Sequence, residues 1–256
     1  MDPLDELNKA LDGGRWKKAV RKADEILNAC PFGDEPDGRQ RFSFMNKESF
    51  VLYSVRHGEE PLWLKNHANV AFCKAYALTE LGDLAQAEKT LLFCLRLDPV
   101  SVKIKTELFS VYVRLRDFEA AGSILCAAEG DILSPGEAAA VYAKKGYLFS
   151  QRKDYENAKR FCLTSLLYEE NNAAVRELRY LESVTGEELL PVEESDCVCA
   201  ARLLHGRGEL PLLPEENTEA LRYLRGLYTA AGQIETARIY EERLCEFDRI
   251  RELILC

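Results

Sequence analysis

Apolar and small residues recur along this chain at spacings of three and four, the rhythm that gathers side chains on one face of an α-helix. The clearest stretch is 68–101, ANVAFCKAYALTELGDLAQAEKTLLFCLRLDPVS. Ala71, Ala75 and Leu78 form a first stripe, and the turn falls at Leu81-Gly82-Asp83. Leu84, Ala87, Leu91, Cys94 and Leu95 form a second stripe, which ends at Asp98-Pro99. A methyl side chain lets two antiparallel helices approach closely, so these alanines predict a tight pair. Every strongly periodic segment keeps the 3.6-residue rhythm, which predicts an all-α protein.

The same arrangement returns 34 residues later, at 102–135, with Arg116-Asp117-Phe118 at the turn, then Ala121, Leu125 and Ala128, and Pro135 at the end. It returns at 139–172, where Tyr142, Gly146 and Phe149 lead to Lys153-Asp154-Tyr155, followed by Ala158, Cys162, Ser165 and Leu166. A further copy spans 218–251, around Gly232-Gln233-Ile234, and a shorter one spans about 2–30, around Gly14-Arg15-Trp16. The copies at 68 and 102 adjoin in register. Ser134-Pro135-Gly136-Glu137 supplies an N-cap serine, a proline at the first helical position and a glutamate three residues after the cap, which predicts a helix from Pro135 to about Ser150.

Two stretches interrupt the array, at about 31–67 and 173–217. The first opens with the turn-rich Pro31-Phe32-Gly33-Asp34-Glu35-Pro36-Asp37-Gly38 and continues through Phe42, Phe44, Phe50, Leu52 and Tyr53, with a helix expected from Met45 to Val55. The second is expected to hold helices at about 173–185 and 194–206. The Leu210-Pro211-Leu212-Leu213-Pro214 segment then serves as a connector, since proline would break a helix there.

This pattern resembles the tetratricopeptide repeat (TPR) family. Its signature is a 34-residue helix-turn-helix with a small residue where the helices cross, a Gly-Asp-aromatic turn, an alanine three residues beyond, and a late proline. Gly82-Asp83-Leu84 with Ala87 and Pro99 matches it, as does Lys153-Asp154-Tyr155 with Gly146 and Ala158; the family's leading tryptophan is missing from every copy. The resemblance implies a TPR-like right-handed superhelical solenoid of antiparallel helix pairs, forming a single domain over 1–256. It further implies a non-catalytic scaffold or adaptor that binds a peptide or helix of another protein in its concave groove.

The resemblance also implies which side chains face inward: the second, fifth, ninth, twelfth and thirteenth of each repeat. These are Asn69, Phe72, Tyr76, Thr79 and Glu80, then Lys103, Thr106, Ser110, Val113 and Arg114, then Ala140, Ala143, Tyr147, Ser150 and Gln151 with Lys144 beside them. Phe72, Tyr76 and Tyr147 offer flat, amphipathic contact area at low entropic cost. Phe72 and Tyr147 have an alternative role, packing against a neighbouring helix. Lys103, Arg114 and Lys144 would receive a partner's carboxylates, Arg114 in bidentate fashion. The chaperone-binding branch of the family grips a terminal carboxylate with lysines, asparagines and an arginine. Here the fifth and ninth positions hold Phe72 and Tyr76, or Thr106 and Ser110, which speaks against chaperone tails. The alternative function is a structural subunit of a homo-oligomer or larger assembly, favoured if residues 31–67 fill the groove.

Composition adds exclusions. A formal net charge of -9 without a basic stripe excludes nucleic acid as the expected partner. The longest strongly apolar stretch, Leu91 to Leu95, is far short of a bilayer span, so no membrane association is expected. The N-terminal residues lack a basic segment and apolar run, which places the expected location in the cytoplasm. Nine cysteines spread through such a chain fit reduced thiols on apolar faces. No phosphate-binding loop, dinucleotide fingerprint, nucleophile elbow or paired-histidine zinc motif is present, so no enzyme activity and no cofactor are expected. His57 and His67 stand alone in sequence, and Cys197-Val198-Cys199 with His205 has the wrong spacing for structural zinc. The acidic pairs Glu187-Glu188 and Glu193-Glu194 read as a solvated face.

Overall fold

The computed structural model describes residues 3–29, 41–58, 61–63 and 67–256. The turn-rich opening of the first interruption, Pro31 to Gly38, lies outside them. The chain forms two compact units, Met1–Ala121 and Gly122–Cys256.

In the first unit, α1 (Pro3–Asp12) and α2 (Trp16–Ala29) make the N-terminal pair. The clearest repeat gives α4 (His67–Leu81) and α5 (Leu84–Leu97), followed by α6 (Val102–Leu115). Leu7, Ala10, Ala19, Ala23, Val70 and Ala77 form one buried cluster, so α2 is seated on α4 through small side chains. Ala87 and Leu91 are fully buried where α5 packs α4. The caps follow the local sequence: Asp83 accepts from the Gln86 amide and Ser101 from the Ile104 amide.

The first interruption folds as β1 (Arg41–Phe42), α3 (Lys47–His57) and β2 (Leu62–Trp63), with β1 and β2 paired in parallel. The expected helix is present, begun by Asn46, which accepts from the Ser49 amide. The short β pair has no periodic signal and was not expected. Around Phe44 the segment builds an aromatic core, with Trp63 stacked 5.2 Å from Phe50. Backbone and side chain then fasten it to the repeat: Ser43 N donates to Leu97 O, Ser43 Oγ accepts from Ala68 N, and Met45 N donates to the Asp98 carboxylate.

The division between units falls within α7 (Phe118–Glu129). The second unit then holds α8 (Pro135–Gln151), α9 (Tyr155–Tyr168), α10 (Asn172–Thr185), α11 (Glu194–Gly206), α12 (Glu215–Ala230) and α13 (Ile234–Leu255). The Ser134 cap accepts from Glu137 N, and the Glu137 carboxylate accepts from Leu133 N. α8 and α9 cross tightly at Gly146, where a Cβ would lie 2.5 Å from Cys162 Sγ and 3.0 Å from the Ala158 carbonyl. Helices α10 and α11 occupy the second interruption, and each packs on α9. α12 and α13 form the last pair, with α13 reaching α8, α9 and α11. The result is an almost all-α chain of paired helices, as expected of a TPR-like solenoid.

Candidate functional site

In the first unit, α4 and α6 lie side by side and bring the expected inward residues of two repeats together. Phe72 is half-buried beneath the Lys103 ammonium, which sits 4.8 Å from the ring centroid. A cation over a ring face is attracted by its quadrupole, so this contact presents positive charge and apolar area as one unit. Tyr76, one turn further along α4, is 39% exposed and meets Trp16 of α2 edge-on at 5.8 Å between centroids. Arg114 is exposed, yet one guanidinium nitrogen donates to the Thr79 carbonyl at 2.6 Å. The guanidinium therefore caps the C-terminal turn of α4, where a cation also complements the helix dipole.

The polar positions point less clearly outward. Thr106 Oγ1 donates to Lys103 O, and Ser110 Oγ donates to Thr106 O, so both hydroxyls are engaged along their own helix. Asn69 donates from its amide to Met45 O at 3.2 Å, which ties it to the first interruption. That contact is at the first turn of α4, two turns before Tyr76. In the second unit, Lys144 and Tyr147 are half-buried on α8. Thr79, Ala143 and Ser150 also belong to the inward register, but all three are buried. Neighbouring first helices lie against each other, α4 with α6 and α8 with α10, and side chains at such a seam lose their solvent face.

Among the described residues, no group of three or more His, Cys, Asp or Glu side chains is placed to hold a metal ion. Cys197 is buried and Cys199 exposed, on different sides of α11, and the His205 ring is bonded through Nδ1 to the Leu210 carbonyl at 2.9 Å. The described cysteines are free thiols. Burial pushes the Cys94 thiol up to about 12 and also raises that of Cys162, so neither is poised as a nucleophile. No helix of the described residues is long and apolar enough to cross a membrane.

The third repeat crosses at Gly146, against Ala158 and Cys162, with Gly146 and Ala158 in the positions the helix-turn-helix signature requires. Residues 139–172 match the family model for the Tetratricopeptide repeat. The match covers that one copy, and the TPR-type repeat it marks has the same register as the copies at 68–101 and 102–135. No curated protein matches the chain.

One surface carries no motif and escaped the sequence reading: the outer face of α11, flanked by two hollows of about 510 and 630 Å³. Its exposed Leu203 lies four residues beyond Cys199, a spacing that any amphipathic helix shows. Nothing local separates a buried from an exposed leucine there.

Proposed function

We propose that the protein is a non-catalytic scaffold that binds a peptide or helix of another protein through the inward face of its repeats. A helical-repeat architecture is suited to protein–protein interaction, because stacked pairs present long rows of side chains rather than a single pocket. The observation that carries the reading is the grouping on α4 and α6: Phe72 under the Lys103 ammonium, with Tyr76 partly exposed nearby. A partner with carboxylates flanked by apolar residues fits that grouping. Lys144 and Tyr147 supply the corresponding chemistry on α8 of the second unit. Arg114 has donors left beyond the one spent on Thr79 and would add to the first face.

The test is affinity capture with the wild-type protein beside a Tyr76→Ala, Lys103→Glu, Tyr147→Ala variant. Loss of the same partners by a variant with an unchanged thermal melt is the expected result. Each aromatic anchor should contribute at least about 1 kcal/mol to binding, and the charge reversal should weaken an acidic partner most at low salt. Arg114 is left intact because removing it would also uncap α4 and blur folding with binding. Undiminished capture by the well-folded triple variant would exclude this face.

A further inference from the structure

Helix α11 buries Cys197, Ala200, Ala201 and Leu204. Its opposite face carries Ser195, Cys199 and Leu203, each four residues from the next, so that they form one ridge along the helix. Leu203 is 46% exposed on that ridge. A hollow lies on either side. The larger, about 630 Å³, is bounded by Val198 and by Leu253 of α13. The other, about 510 Å³, is bounded by Leu163 of α9 and by Leu189 and Leu190 of the segment before α11. Cys199 and Leu203 line both.

A ridge between two hollows is the counterpart of a second helix, whose own groove receives the ridge while its flanking rows fill the hollows. A peptide that binds by adding a strand has nothing to gain here, since it relies on unpaired backbone groups, and those of α11 are bonded within the helix. Charge narrows the occupant further. Residues 180–201 contain Glu182, Glu187, Glu188, Glu193, Glu194 and Asp196 and no lysine or arginine. The cations that α9 and α13 bring to the rim are paired with carboxylates. Lys159 meets Glu187 at 2.7 Å, Arg160 meets Glu156 at 3.2 Å, and Arg249 of α13 meets Glu194 at 2.7 Å, while Arg202 donates to the neutral Leu253 O at 2.8 Å and keeps its charge. Glu188, Glu193 and Asp196 stand outside these ion pairs against the one charge of Arg202, so the rim keeps a modest negative excess around Cys199 and Leu203.

We infer that the outer face of α11 docks a basic amphipathic helix of a partner protein, with apolar residues spaced by three and four and lysine or arginine along their flank. This surface is separate from the inward repeat face, and its partner has the opposite charge.

Selection from a displayed library of helical peptides tests the inference. The peptides enriched on the wild-type protein should combine that apolar spacing with a basic flank. They should bind the Leu203→Asp variant at least ten-fold more weakly. The Glu188→Lys variant should bind them several-fold more weakly, with a shallower dependence on salt. Tyr147→Ala should bind them as the wild type does, which separates a failure here from a failure of the inward face. Leu203 is half exposed, so its variant should melt as the wild type does. If it does not, Glu188→Lys on the exposed segment before α11 carries the test alone. No enrichment, enrichment of acidic or extended proline-rich sequences, or full affinity of a folded Leu203→Asp variant would overturn the inference. So would self-association of the wild type that Leu203→Asp abolishes, since the occupant would then be a second copy of this chain.

Discussion

Single residues explain why degenerate copies of the repeat still fold alike. The turn of the clearest copy uses Gly82 with φ of 81°, in the left-handed region that glycine enters without cost. Arg116 and Lys153 occupy the same turn in the next two copies and adopt φ of 61° and 62°. The backbone is thus conserved in shape where the glycine signal is lost, and pairing of the flanking helices holds it there. Asp98 shows the other side of local reading: a polar residue that looks like a solvated helix end is fully buried. Burial pushes its carboxyl up to about 6 from 3.8, partly offset by hydrogen bonds from Met45, Ser49 and Val100 and by the Lys105 ammonium. Burial, with Arg56 adding to it, lowers Lys105 to about 8 from 10.5. The folded carboxyl holds its proton at a pH where the unfolded one has lost it. Stability contributed here therefore falls as pH rises from about 4 to 6, by roughly 2–3 kcal/mol. Lys105 acts in the opposite sense between about 8 and 10, where the unfolded chain binds the extra proton and stability rises with pH. Urea unfolding of the wild type and Asp98→Asn at pH 4 and pH 7 checks the first window. The wild type should lose ground to the variant between the two, and a constant difference would show that Asp98 does not titrate as described.

At the scale of elements, the sequence located helices well wherever caps and periodicity agreed. Ser134 and Pro135 start α8, and Gly232, with φ of 70°, separates α12 from α13. The helices of the second interruption also lie where the apolar spacing placed them, but their packing on α9 depends on contacts remote in sequence. The inward face was half legible for the same reason. The register placed Phe72 near Lys103, whereas the burial of Thr79 and Ser150 follows from which helix lies alongside. The pairing of Glu129 with Lys145 was not legible at all. Lys145 lies on α8 in an apolar setting, its ammonium 2.5 Å from the Glu129 carboxylate at the end of α7 and 5.2 Å from the Phe161 ring. Both are buried, and burial raises the Glu129 carboxyl against the pull of the lysine. Such a pair adds little net stability but is costly to break from one side. Lys145→Met should therefore cost about 3–5 kcal/mol by leaving the carboxylate buried, and adding Glu129→Gln should recover much of that loss. Equal melts for single and double variants would mean that the pair is solvated.

On the scale of the whole molecule, the two interruptions that break the 34-residue period solve the same problem in each unit. The end of a repeat's second helix leaves backbone carbonyls with no donor inside the helix. In the first unit, Ser43 N donates to Leu97 O and Met45 N to Asp98 at the end of α5. In the second, the Asn217 amide, at the start of α12, donates to Gly130 O at 2.9 Å and to Ile132 O at 2.8 Å, just beyond α7. Ile132 stands one 34-residue period after Asp98. No sequence pattern announces such bonds, because one side chain and two main-chain oxygens some 85 and 87 residues away share no periodicity. Asn217 is fully buried, so Asn217→Ala would take one donor from each of the two carbonyls at a cost of about 1–3 kcal/mol. The α12–α13 pair also packs through α13 on α8, α9 and α11, which should keep it attached while loosening it. Hydrogen exchange followed by mass spectrometry should then show faster exchange in α12 and in the 130–134 turn, with α8 and α9 still protected. Acceleration spread evenly over the second unit would mean that Asn217 supports its global stability instead. An unchanged pattern would mean that water replaces the amide without loss.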